Sequence, residues 1–163
     1  MEDQLLTYFT AEKNEAGLFM AVGVAAIGAG VWLLLTGGSY KGMAYPLIAI
    51  AAIQLVVGAA VYFRSDGQLA ALQVQQREAP AAFKAGETAR MTPVIANFKI
   101  YKAIEIGLLA LGIALTFALG RSDLWYAIGI GLIVQSALML VLDLFAERRA
   151  DEYLKFVLGV GNL

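Results

Sequence analysis

The sequence predicts an all-α membrane protein: a four-transmembrane-helix bundle of two parallel helical-hairpin repeats, with amphipathic helices on its cytoplasmic side. Three observations predict it. Four apolar runs, at 16–36, 45–63, 103–119 and 124–144, are each long enough to cross a bilayer, whose core of about 30 Å takes roughly 20 helical residues. No run carries a charge at its middle. Ten of the twelve basic residues fall in three segments: Lys13 before the first run, Arg64, Arg77, Lys84, Arg90, Lys99 and Lys102 between the second and third, and Arg148, Arg149 and Lys155 after the fourth. Only Lys41 and Arg121 sit in the other two loops. Such a Lys/Arg bias sets orientation. Both termini and the central segment are therefore expected in the cytoplasm, in a multi-pass protein of a bacterial inner membrane.

Composition narrows the class further. The hydrophobic fraction is 60% and the mean hydropathy +0.72, above the roughly 45–50% apolar content of soluble domains. At 163 residues there is room for one membrane domain and no separate soluble one. The chain holds no His and no Cys, which removes the usual bases, nucleophiles, zinc ligands and disulfides. It has no P-loop and no G-x-S-x-G. Neither catalysis nor a cofactor or metal is expected. Asp66, Glu78 and Glu87 dilute the basic central segment, so nucleic acid is not an expected partner.

The elements follow in order. Residues 1–14 read as an amphipathic helix, with Asp3 as its N-cap and Leu5, Leu6 and Phe9 on one face. Glu2, Asp3, Glu12 and Glu15 precede the first span, where a cleavable signal would carry basic residues, so that span is expected to remain as an anchor. Within it Ala21, Ala25 and Ala29 form a small-residue ridge, flanked by Ala26 and Gly30, of the kind that lets helices approach closely in lipid. Gly37-Gly38-Ser39-Tyr40-Lys41-Gly42 is a tight turn, and Tyr40 and Tyr45 suit the membrane boundary. The second span ends at Tyr62 and Phe63, the matching belt on the other side. The segment 64–101 reads as a helical cytoplasmic loop. Asp66 can cap a helix carrying Leu69, Leu72 and Gln76. Pro80 fits the first turn of a second helix with Phe83, Glu87 and Arg90, and Thr92-Pro93 repeats the cap-and-proline pattern before the third span. Gly120-Arg121-Ser122-Asp123 makes the second hairpin turn, and 147–158 reads as a C-terminal amphipathic helix.

The two hairpins resemble one another. Glu15-Ala16-Gly17-Leu18 opens the first span and Glu105-Ile106-Gly107-Leu108 the third. The second helix of each pair carries one mid-span glutamine, Gln54 and Gln135. An R-x-D-x-x-L start follows each pair, Arg64, Asp66, Leu69 and Arg149, Asp151, Leu154. Two-span units joined on the cytoplasmic side have the same orientation, so the repeat is parallel, with a pseudo-two-fold axis along the membrane normal. Gln54 and Gln135 should then face one another across the core.

These glutamines are the most informative polar residues. An amide in hydrocarbon must find a partner, as interhelical glue, as a polar constriction of an ion path, or as a docking point for another protein's helix. Glu15, Glu105 and Asp143 lie near the cytoplasmic ends of spans. Lys13, Lys102, Arg64 and Arg148 are close enough in sequence to suggest interfacial ion pairs; convergence of two acids would instead suggest a proton or cation site.

The central segment is long for a connector and offers Leu69, Leu72, Phe83, Met91, Val94 and Phe98 as a candidate partner surface. These side chains could equally pack on the bundle's own cytoplasmic face. The expected partners are the lipid bilayer and a protein, either a toxin or a membrane complex. The alternative is an oligomeric ion channel, with a homo-oligomer as the partner, or an accessory subunit of a transporter or membrane complex. A short polytopic chain without active-site residues resembles, in size and layout, membrane immunity proteins that protect bacteria from pore-forming toxins. That resemblance implies a non-enzymatic protein acting by protein–protein interaction.

Overall fold

A computed structural model describes residues 2–118 and 123–160. It contains α1 (Glu2–Thr36), a short 3-10 turn (Lys41–Met43), α2 (Ala44–Glu78), α3 (Pro80–Ala118) and α4 (Asp123–Gly159). All four helices are long and apolar enough to cross a membrane. The expected turn at Gly120-Arg121-Ser122 and the side chain of the expected cap Asp3 lie outside the described residues.

The helices are longer than the spans. They run 35, 35, 39 and 37 residues, or about 52–58 Å at 1.5 Å per residue. The segments read separately as 1–14, 64–101 and 147–158 are continuous with them, and no helix starts at Asp66 or at Thr92-Pro93. The interior break of the central segment is Ala79, at φ −144° and ψ 70°. A residue before proline is pushed out of the α region, and Pro80 then opens α3 as the sequence suggested. Pro93 instead stays inside α3. It lies on the exposed face, where the carbonyl it leaves unbonded can reach water, and Thr92 Oγ1 donates to the Thr88 carbonyl at 2.7 Å.

α1 packs chiefly along α2, and α3 along α4, as two antiparallel hairpins. Glycines set the closest approaches. A Cβ on Gly112 would lie 2.8 Å from the Gly129 carbonyl oxygen, and one on Gly129 would lie 2.4 Å from Thr116 Oγ1. The hairpins are joined where the 3-10 turn meets α4: a Cβ on Gly42 would come within 2.5 Å of the Leu124 carbonyl. On α1 the buried small residues are Ala16, Gly23, Ala26 and Gly30, while the expected ridge Ala21, Ala25 and Ala29 faces outward.

Two cores result. One, beside the 3-10 turn, gathers Ala26, Leu47 and Ala51. The other gathers Leu5, Tyr8 and Phe9 from α1, Phe83 and Met91 from α3, and Ala150, Tyr153, Val157 and Val160 from the end of the chain. The start of α1, the α2–α3 junction and the end of α4 therefore share one end of the molecule.

Candidate functional site

Gln54 and Gln135 are both fully buried, and the fold brings them together. Gln135 Nε2 donates to Gln54 Oε1 at 2.9 Å. Gln54 Nε2 donates in turn to the Phe19 carbonyl of α1 at 2.6 Å. One amide chain thus ties α4 to α2 and α2 to α1. The Phe19 acceptor is a backbone group and leaves no mark in the sequence. Ser136, next to Gln135, is also buried, and both Ser136 Oγ and Gln135 Oε1 lack a partner. Two adjacent polar residues in the middle of an apolar run are the sign that could have found it.

The interfacial charges pair across helices rather than with their neighbours in sequence. Glu15 bonds Arg149 of α4 rather than Lys13, because residues two apart on a helix face different ways. Lys13 instead reaches Asp66 at 2.5 Å. Lys102 Nζ donates to Glu147 at 2.5 Å, leaving Glu105, which is buried, beside Asp143. Arg64 lies 3.9 Å from Glu12. Arg148, suggested for Asp143, pairs with Glu152 on the surface.

The candidate partner surface is turned inward. Phe83 and Met91 have no exposed area, and Leu69, Leu72, Val94 and Phe98 pack against the same core. Their helices carry the same face onward from the spans, so these side chains fill the bundle's own end.

Polar groups stitch that core together. Glu87 accepts both Arg90 Nε and Nη2 at 2.8 Å and the Tyr153 hydroxyl at 2.7 Å. Tyr8 stacks on Tyr153 with ring centroids 3.9 Å apart, and the Arg149 guanidinium lies 5.3 Å over Tyr8. Burial lowers the Arg149 pKa from its ordinary value. Ser65 Oγ shares its one hydrogen between the Val61 carbonyl at 2.7 Å and Glu12 at 3.0 Å. The Glu87–Arg90 spacing was visible in the sequence; the tyrosines and Ser65 were not, since their partners are distant in the chain.

Most of these groups pair across helices; the exceptions include Glu105 and Asp143, two acids side by side, and the Gln76 amide, Gln135 Oε1 and Ser136 Oγ, which have no partner among the described residues. Among the described residues no group of three or more His, Cys, Asp or Glu side chains could hold a metal ion. No family model, curated protein or solved structure matches the chain.

Proposed function

We propose that this is a non-enzymatic multi-pass protein of a bacterial inner membrane, with both chain ends in the cytoplasm, that acts by binding another membrane protein through its spans. The observation that carries the reading is the division of its side chains. Inward polar groups are engaged largely with one another, as in Gln54–Gln135, Glu15–Arg149 and Lys102–Glu147. The outer face of α1 is left apolar, with Ala21, Ala25 and Ala29 exposed together, and small residues are where a second helix can approach.

The membrane placement has its own support. Exposed Tyr45 and Phe63 on α2 are separated by about 27 Å of helix, close to the thickness of a bilayer core. Trp125 and Phe145 mark similar levels on α4. The helix ends beyond Phe63, Tyr101 and Phe145 carry most of the Lys and Arg, which favours the cytoplasm. The hairpin duplication fits as well, since each hairpin supplies one of the two glutamines that meet.

The form we propose is immunity against a membrane-targeting toxin, which needs spans matching the toxin's helices and no catalytic group. A photo-crosslinking residue at Ala25 in native membranes should yield an adduct with a toxin or secreted effector, encoded next to this gene. Adducts with lipid alone, together with transporter or respiratory genes as neighbours, would replace immunity by an accessory-subunit role.

A further inference from the structure

The buried hydroxyl of Ser136 behaves unlike others in this chain. Thr36, Ser65, Thr92 and Thr116 each donate to the carbonyl four residues back, at 3.0, 2.7, 2.7 and 2.8 Å. This is a bond that a serine or threonine hydroxyl on a helix commonly makes. Ser136 is 1% exposed, and its Oγ makes no such bond. The neighbouring side chain ends in the same condition: Gln135 gives its amide hydrogen to Gln54, and its Oε1 receives none. The amide chain that starts at the Phe19 carbonyl therefore runs through Gln54 and Gln135 and stops at unused acceptors.

Buried acceptors of this kind are met in proteins by ordered water, which makes two to four hydrogen bonds to groups left otherwise unsatisfied. We propose that Gln135 Oε1 and Ser136 Oγ bind a water molecule at the centre of the bundle, midway along the apolar spans. Water supplies the hydrogen that Gln135 Oε1 lacks and accepts the one that the serine hydroxyl offers. An alkali cation could also be held by an amide and a hydroxyl oxygen. The chain Phe19–Gln54–Gln135 is neutral throughout, however, and supplies no counter-charge for an ion taken out of water. The neutral ligand is the one the site suits.

The test uses the full chain in lipid nanodiscs with ¹⁵N-labelled glutamine. The Gln135 side-chain amide should show magnetisation exchange with water, and S136A should lose it while the Gln54 amide signals stay in place. A wild-type protein with no water contact at Gln135, or an S136A protein with an undiminished one, overturns the proposal. Should S136A lose its helicity, the wild-type spectrum alone decides. Melting temperature should be the same in sodium, potassium and choline chloride. A rise of several degrees in one alkali salt, absent in S136A, would assign the site to that ion and overturn the assignment to water.

Discussion

Gln54 and Gln135 differ in what each removal strands. Q135L leaves Gln54 Oε1 without its donor, whereas Q54L also removes the donor to the Phe19 carbonyl. Interhelical hydrogen bonds in membranes average about 0.6 kcal/mol and reach nearly 2. Each variant should lose about 0.6–2 kcal/mol in detergent unfolding, Q54L the more. The double variant should lose less than the sum, because neither amide then strands the other; strict additivity would mean the two do not touch. That these residues meet was legible from their matching places in two similar hairpins. The ion pairs were less so. Glu15 finds Arg149 and Lys102 finds Glu147, and only the packing of α1 and α3 on α4 makes those residues neighbours.

At the scale of the helix, the α3–α4 crossing is the most exacting contact. G129A would set a methyl 2.4 Å from Thr116 Oγ1 and 2.7 Å from the Gly112 carbonyl, so the helices must separate. Overpacking of this kind costs about 1–3 kcal/mol. A Cβ at Gly107, on the same helix as Gly112, meets nothing within 4 Å. G107A should leave stability unchanged or raise it by up to about 1 kcal/mol through helix propensity. Equal losses in the two variants, by thermal unfolding in micelles, would contradict the crossing. Helix type and number were plain from the apolar runs. Helix ends were not: Asp66 and Thr92-Pro93 carry local start signals, but the buried face continues past both, from Gly58 through Ser65 and Gln76, and from Phe83 through Met91 to Glu105. Packing along a continuous face outweighs one cap or one exposed proline.

At the scale of the molecule, the core that joins the start of α1 to the end of α4 should respond to alkali. Burial, with Glu12 nearby, pushes Tyr8 up to about 12, and burial with the bond to Glu87 raises Tyr153 further. A raised folded pKa favours the neutral ring, so this stabilisation is complete below the unfolded tyrosine value of about 10 and is lost as pH rises from there through 12. Melting temperature should fall over that interval, and less steeply in Y8F or Y153F. Y153F should also lose about 1.5–3 kcal/mol at neutral pH with its bond to a charged carboxylate. Topology can be read in the naturally cysteine-free background: S39C should label from the periplasmic side, and labelling from the cytoplasm alone would invert the orientation. The shared core has a further consequence, for biogenesis. Leu5, Tyr8 and Phe9 leave the ribosome long before Tyr153 and Val157, which cover them, have been made. At 5–20 residues per second that delay is on the order of ten seconds. Through it the nascent start of α1 is uncovered to chaperones and proteases, and emergence of the far end of α4 is the event that shelters it.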